Sequence, residues 1–344
     1  MKTWPLSVSS AATPRLRLIL FALFLGLALV CLQAWWLLVP APAVQSSPKV
    51  IEISPNQGAT AVAQQLAHEG IIRSRIGFLL LAAIRGTARS LKAGEYEIPM
   101  DTNTVQILKF LEDGRVRQHP VLFAEGGTLR DLARTLEAEG LARAEDVLRV
   151  SQDQHFLRTL GIEAPSLEGY PFPDTYHVFK GLTVEEMLAR MVYRFRTQVT
   201  DELRRQAEAR GLTLHQLLTL ASIIEKEAVV PDELPLISAV FWNRLKLDMP
   251  LQADPTVQYA LGKDRQALTR EDLQVDSPFN TYRTRGLPPG PIASPGKAAI
   301  LATVNPARVN YLYFVSRGDH RHVFSTTLEE HNSAVTRYRV ARAR

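Results

Sequence analysis

The chain has 344 residues, of which 46% are hydrophobic and 22% are charged, and its formal net charge is +5. This length is enough for two or three domains that each bury a core. The composition is close to that of soluble proteins, which excludes a wholly disordered chain and a protein built of many membrane spans. Because the charge excess is modest and no nucleic-acid-binding motif accompanies it, we expect no nucleic-acid partner.

The first predicted element is an apolar segment at residues 18–39, in which Gln33 is the one strongly polar residue. As a helix it would be about 33 Å long, which matches a hydrocarbon core of about 30 Å. Arg15 and Arg17 precede it, so the positive-inside rule places residues 1–17 in the cytoplasm. The sequence predicts a single-pass protein of the inner (cytoplasmic) membrane with a periplasmic remainder. A cleaved signal peptide is the alternative.

Two small α/β modules are predicted after a linker at residues 40–49. In the first, residues 50–118, a short strand pattern leads through a turn into an amphipathic helix. The pattern returns at residues 119–150, and the segments 64–70 and 134–140 align without a gap. Each segment ends on a glycine that suits the position after a helix, so we predict two related modules.

The remaining residues, 151–340, predict the core of a mixed α+β catalytic domain, which together with the second module spans residues 119–340. Thr213 and Gln216 form a capping-box pattern that announces a helix to residue 229. Further elements are predicted as helical stretches at 183–210 and 234–247, a Pro- and Gly-rich loop at 276–296, a hairpin at 311–325 and a final helix from about Leu328.

Two carboxylates near the end of the helix at 213–229 are candidates for acid–base chemistry. Glu225 and Glu227 lie on opposite flanks of its apolar face. A carboxylate set partly in an apolar wall has a raised pKa, which suits a general acid. Helical geometry does not choose between the two, and an ordinary solvated helix end is the alternative.

Two loops carry further candidates. Asp254 stands before Pro255, so it either caps a helix that begins at the proline or points a carboxylate into a sugar-sized cleft beside Gln252. The aromatic loop at residues 167–176 suits sugar faces, although core packing explains its aromatic residues almost as well. His320, His322 and His331 lack an accompanying metal-binding motif, so we predict neither a metal nor a cofactor.

These segments carry a family likeness. Together they resemble, in order, the endolytic murein transglycosylases, the MltG or YceG-like family, whose N-terminal part is a LysM-like subdomain. The resemblance covers most of residues 165–332, with Pro171 where a leucine is common and Ala253 where a hydroxylated residue is frequent. The matching stretches are Ala221–Glu227, Phe241–Leu245, Leu251–Tyr259, Ser277–Tyr282, Gly286–Ile292 and Tyr311–Val315.

The resemblance implies lytic cleavage of the β-1,4 bond between N-acetylmuramic acid and N-acetylglucosamine in nascent strands, with 1,6-anhydro ends and termination of strand elongation. It assigns the catalytic role to Glu225, peptidoglycan as the substrate, and peptidoglycan synthases (penicillin-binding proteins) as possible partners. The first module, 50–118, is expected to be LysM-like. The residues expected to bind substrate are Ser222, Glu227, Glu168, Tyr176, Gln252, Asp254, Thr256, Asn280 and Tyr282.

Two alternatives differ in class from this lyase. A hydrolytic muramidase would use Asp254 as the second carboxyl beside Glu225, and its products would keep the water that anhydro ends lack. A non-catalytic peptidoglycan-binding membrane scaffold would bind glycan without cutting it.

Overall fold

The computed structural model describes residues 14–39, 48–54, 56–263 and 266–342. Within these residues the chain divides into two compact units, and the first runs to Gln118 and includes Phe179–Gly181. The second unit begins at His119 and contains the remaining residues. Helices and small antiparallel sheets occur in both, so the mixed α+β class is confirmed.

The first helix, α1, spans Pro14–Leu38. Apolar side chains along it, among them Leu20, Phe24 and Leu27, are exposed. In the part of the chain that the structure describes, no helix combines the length and sustained apolar character that a membrane crossing requires. The predicted span at residues 18–39 is therefore not confirmed. Most of the predicted cytoplasmic segment and of the linker, residues 1–13 and 40–47, lies outside the described residues.

The rest of the first unit is built around one strand pair. Strands β1 and β2 pair antiparallel, with Ile51 opposite Tyr96, and two helices connect them. The side chains of Leu66, Phe78 and Ile107 fill the core. The LysM-like assignment of this module stays a prediction. The elements are β1 Lys49–Ile53, α2 Ala59–His68, α3 Arg75–Ile84, β2 Gly94–Ile98 and α4 Thr104–Asp113.

The second unit opens with the same order of elements. Strands β3 and β4 pair antiparallel, again with helices between them. Helices α2 and α5 both end before a glycine in the left-handed region, Gly70 at φ 67° and Gly140 at φ 64°. The predicted glycine termini are thus confirmed. The elements are β3 His119–Phe123, α5 Leu129–Ala138, α6 Ala144–Val150, α7 Gln154–Thr159 and β4 Asp174–Val178.

Helices dominate the middle of the second unit. The predicted helical stretch at 183–210 is divided at Val199, because the Thr200 hydroxyl accepts a hydrogen bond from the Leu203 amide and starts a new helix. The capping box of Thr213 and Gln216 is confirmed. These helices are α8 Val184–Gln198, α9 Asp201–Glu208, α10 Leu214–Glu227, α11 Leu234–Lys246, α12 Asp254–Leu261 and α13 Lys297–Val304.

The start of α12 contradicts one of the two interpretations of Asp254, that it caps this helix. The capping residue is Ala253, and Asp254 is already the first residue of the helix, so the interpretation of Asp254 as the cap is wrong. The physical reason is a competing partner, because the Asp254 carboxylate accepts a hydrogen bond from the Tyr282 hydroxyl at 2.5 Å. The side chain is therefore turned away from the amides of its own helix.

The predicted irregular loop and terminal hairpin are both present. A 3-10 turn at Asp272–Gln274 precedes the Pro- and Gly-rich loop, which runs to α13 without a regular element. Beyond α13, β5 Tyr313–Ser316 pairs antiparallel with β6 His322–Ser325, and α14 Leu328–Arg342 follows. Helix α10 is central to this unit, since Leu217–Ile224 are all buried.

Candidate active site

The candidate site begins where the buried part of α10 ends. Eight consecutive buried residues, Leu217–Ile224, are followed by Glu225, whose side chain is only half-buried. The backbone amide of Gly296, which precedes α13, donates a hydrogen bond of 2.9 Å to Glu225 Oε2. Among the described residues, none donates a hydrogen bond to Oε1. One oxygen of this carboxyl is therefore held by the protein backbone.

The surroundings of Glu225 raise its pKa. Burial is the largest cause, and the charge of Glu125 raises the pKa further. The amide of Gly296 and the charge of Lys226 act in the opposite direction, because both favour the carboxylate. A carboxyl under such balanced influences can hold a proton and can also exist as the anion, as a group that acts first as an acid and then as a base must.

Glu125 is a site residue that the sequence analysis missed. It lies in the turn between β3 and α5, which the sequence marked only as a turn, and its side chain is exposed. A Cβ built on Gly296 would lie within contact of the Glu125 carboxylate, so the two residues are direct neighbours. The signal available in the sequence was the pair of glycines that follows Glu125, because it permits close approach of another segment.

Two hydrogen bonds fix this turn against the loop before α13. The amide of Gly126 donates to the carbonyl of Ser294 at 2.9 Å, and the amide of Ser294 donates to the carbonyl of Gly127 at 2.8 Å. A Cβ on Gly126 would lie 3.6 Å from Glu225 Cγ, so the turn passes directly over the candidate acid. The second β-α module thus contributes one wall of the site.

Glu227 lies in a different cluster of charged groups. Burial raises the pKa of Glu227 to about 8, with a further contribution from the charge of Asp254 and an opposing one from Arg244. Arg244 is held in place by its hydrogen bonds to the carbonyls of Leu312 and Leu251, both 2.7 Å. Glu227, Asp254, Tyr282 and Arg244 form what we call the Glu227 cluster. Arg244 is a second residue whose role the sequence analysis missed.

The two glutamates of α10 are therefore influenced by different carboxylates. Glu125 acts on Glu225, whereas Asp254 acts on Glu227. The hydrolytic alternative took Asp254 as the second carboxyl beside Glu225. The negative charge that raises the pKa of Glu225 is instead that of Glu125.

Gln252 and Asp254 are both exposed at the entrance to α12. Gln252 has a φ of 50°, in the left-handed region that a residue other than glycine adopts at a cost. The backbone amide of Gln252 donates to the Thr281 carbonyl at 3.0 Å. The Thr281 hydroxyl accepts from the backbone amide of Ala253, also at 3.0 Å. Thr281 thus holds a strained backbone in place, as is common at functional sites. The sequence analysis passed over Thr281.

Four of the residues expected to bind substrate are buried and bond to the protein, namely Ser222, Thr256, Asn280 and, as described below, Glu168. Ser222 accepts a hydrogen bond from the Ile292 amide at 3.0 Å, and the Thr256 hydroxyl donates to the Ala253 carbonyl at 2.7 Å. Asn280 donates to the carbonyls of Leu273 and Val275. Direct sugar contact by these residues stays a prediction, and their burial favours a supporting role.

Glu168 and Tyr176 lie in the first part of the second unit. The buried Glu168 carboxylate accepts a hydrogen bond of 3.0 Å from the Leu129 amide at the start of α5, and burial raises the pKa of Glu168 to about 7. This is the position of a helix-capping anion. Tyr176 on β4 is half-buried, and its hydroxyl donates to the Phe172 carbonyl at 2.5 Å. Neither is hydrogen-bonded to Glu225 within the described chain.

The fold and the site together define an acid–base enzyme of mixed α+β structure, with its candidate carboxyl at the end of a buried helix. The YceG-like family matches residues 51–337, and the chain belongs to that family. Three similar proteins, two named enzymes and one solved structure, are described next.

An endolytic murein transglycosylase of Bacillus subtilis is 32% identical over 317 residues, which cover 88% of each chain. The protein of the same name from Streptococcus pneumoniae strain D39 is 30% identical and covers 80% of this chain, which spans 56% of that longer relative. A crystal structure of a YceG-like protein from Listeria monocytogenes is 33% identical, with a TM-score of 0.59, and covers 84% of this chain and 99% of its own.

Proposed function

We propose that this chain is an endolytic murein transglycosylase that cuts peptidoglycan glycan strands and leaves 1,6-anhydromuramyl ends. The observation that carries the proposal is Glu225, a half-buried carboxyl with a raised pKa and one oxygen fixed by the Gly296 amide. Family membership and the activity named for the relatives from Bacillus and Streptococcus support the same reaction.

In the proposed reaction, Glu225 serves as the acid and then as the base. Its proton goes to the bridging oxygen as the bond from that oxygen to muramyl C1 breaks. The carboxylate then takes the proton of the muramyl 6-hydroxyl, whose oxygen forms the new bond to C1. The proton count of Glu225 is unchanged over the cycle, and no water enters the product. The Gly296 amide stabilises the carboxylate in the second step.

One carboxyl is enough for this reaction because the 6-hydroxyl of the substrate replaces the water of a hydrolase. A hydrolytic glycosidase uses two carboxyls on either side of the bond. In our proposal two exposed residues contact the sugar, Asp254 of the Glu227 cluster and Gln252 beside it, and Tyr282 orients Asp254. The loops that carry these groups are supported by Ser222, Thr256 and Asn280, whereas Glu168 supports the start of α5.

The test is digestion of purified glycan strands by the full chain, followed by mass analysis of the new ends. Lytic cleavage gives anhydro ends that are one water lighter than hydrolytic ends. The Glu225→Gln variant should lose cleavage by a factor of about 10³ or more while it still binds glycan, because the amide cannot donate and reclaim a proton. Hydrolytic ends would contradict the lytic reaction, and unchanged cleavage by Glu225→Gln would move the acid to Glu227.

We also propose that residues 18–39 anchor the enzyme in the cytoplasmic membrane, with the catalytic unit in the periplasm and peptidoglycan synthases as neighbours. The support is the sequence between Leu18 and Val39, which has no charged residue, and the exposed apolar side chains of α1. Membrane fractionation of the full chain, compared with a variant that carries two lysines in place of Leu25 and Leu29, tests the anchor. Equal recovery of both proteins in the soluble fraction would refute it.

A further inference from the structure

A small polar cavity is lined in part by Lys226, the residue that follows the candidate acid in α10, and nothing in the proposed reaction uses this cavity. Its volume is about 160 Å³, more than ten times the roughly 10–15 Å³ that one water needs. Three cationic side chains, Arg130, Arg134 and Lys226, contribute to its lining, together with a single described carboxylate, Asp131. Three positive charges thus stand against one negative charge among the described lining residues.

The cations are arranged on two elements. Arg130 and Arg134 are one helical turn apart on α5, so they share a face of that helix. Asp131 supplies only one negative charge against these cations, and that charge acts on Arg134 and Lys226. Its carboxylate also accepts hydrogen bonds at the start of α5, from the Thr128 amide at 3.0 Å and the Thr128 hydroxyl at 2.7 Å. Its ion pair with Arg134 is long, 3.5 Å, and both side chains are well exposed.

Lys226 connects the cavity to the acid. It follows Glu225 in α10 and donates to the Gly126 carbonyl at 3.4 Å. A Cβ on Gly126 would lie 3.5 Å from Lys226 Cδ and 3.6 Å from Glu225 Cγ, so both side chains flank the same glycine. The cavity and the candidate acid are therefore linked through adjacent residues of α10, Lys226 and Glu225.

We propose that this cavity binds a free carboxylate of the peptide stem carried by the muramyl residue that is being cut, an inference that rests on the proposed function. The stem is attached to the same sugar ring whose C1 reacts, and it carries free carboxylates. Guanidinium groups bind carboxylates through paired hydrogen bonds, and an ammonium group adds a point charge. Tyr259, also in the lining, contributes an aromatic wall for the methylene groups of the stem.

The test compares strands that carry stems with the same strands after enzymatic removal of the stems. Arg134→Gln should raise KM on the stem-bearing strand by roughly tenfold, the effect of losing one hydrogen bond to a charged group, while kcat stays the same. Arg134→Glu should raise KM further, and Arg134→Lys should restore part of the affinity. On stripped strands all three variants should match the parent.

The matched control is Arg205→Gln, which removes an equally exposed arginine from another i,i+3 pair, with Glu202 on α9. It should leave KM unchanged on both strands. Equal effects of Arg134→Glu on stem-bearing and stripped strands, or no effect on either, would overturn the inference.

A binding measurement separates failure of this inference from failure of the proposed function. Calorimetry on the Glu225→Gln full chain compares a muramyl-peptide disaccharide with the same disaccharide without its peptide. Tighter binding of the peptide form that is lost in the Glu225→Gln, Arg134→Glu double variant supports the inference whether or not the parent cuts glycan. Equal binding of the two ligands overturns it, and hydrolytic ends or no cleavage by the parent would overturn only the proposed reaction.

Discussion

The hydroxyl of Tyr282 donates a hydrogen bond of 2.5 Å to the carboxylate of Asp254. The two residues come from different segments, the Pro- and Gly-rich loop and the first turn of α12. Because Asp254 also influences Glu227, this bond links the loop to the end of α10. The Pro- and Gly-rich loop is thereby connected to the Glu227 cluster, although it contains no regular structure.

Replacement of Tyr282 by phenylalanine removes this bond and leaves the ring. We expect kcat/KM to fall by about 10- to 100-fold, because a hydrogen bond to a charged group contributes about 1.5–3 kcal/mol. The control is Tyr193→Phe on α8, whose side chain is 69% exposed. Cleavage rates are measured together with melting temperatures. A loss of activity that is matched by a fall in melting temperature would mean that Tyr282 has only a structural role.

Replacement of Glu125 by glutamine should change the pH profile of cleavage. The charge of Glu125 raises the pKa of Glu225, so its removal lowers that pKa. Since Glu225 must be protonated to act as the acid, the alkaline limb of kcat/KM should move to lower pH. At a fixed pH on that limb the rate falls about tenfold for each pH unit of displacement. A profile that stays in place, as expected for the exposed Glu139→Gln, would contradict the assignment of Glu225 as the acid.

Glu227 should make the protein less stable as the pH rises. Burial and Asp254 raise the pKa of Glu227 from 4.5 to about 8, so between these values the folded chain holds a proton that the unfolded chain has released. The free energy of unfolding therefore falls across this window, by at most about 5 kcal/mol. Glu227→Gln removes this titrating group and should show a smaller decline, since Glu168, with its pKa raised to about 7, still contributes to it. Urea unfolding of both proteins at pH 5, 7 and 9 tests this, and parallel curves would refute it.

Local signals in the sequence predicted much of the fold. The capping box of Thr213 and Gln216 and the glycines that end α2 and α5 act through hydrogen bonds within a few residues, so the sequence contains all the atoms involved. The terminal hairpin was predictable for the same reason. The division at Val199 was missed because the helical pattern on either side of it is continuous, whereas the Thr200 cap was not recognised.

The site was less predictable because its geometry depends on distant segments. Periodicity placed Glu225 and Glu227 symmetrically on α10, and only Gly296, Glu125 and Asp254 distinguish their surroundings. Residue type alone also could not show which polar side chains face a ligand. Asn280, for example, uses its amide to hold the backbone of its own loop. The family resemblance named candidate segments, and the structure describes how these segments meet.

Gly169 should tolerate no side chain, although it lies outside the acid–base groups. Its φ is 82°, and a Cβ there would lie 2.4 Å from Pro291 Cβ, in the loop that leads to the site. Gly140 has a similar φ of 64° but open space around it, so Gly140→Ala measures the backbone cost alone, about 1 kcal/mol. Gly169→Ala should lower the free energy of unfolding by a further 1–3 kcal/mol, roughly the cost of overpacking. It should also reduce kcat, because the displaced loop carries Tyr282 and leads to Gly296. Equal losses of stability in the two variants, measured by urea unfolding, would mean that Pro291 moves aside and that this contact does not position the loop.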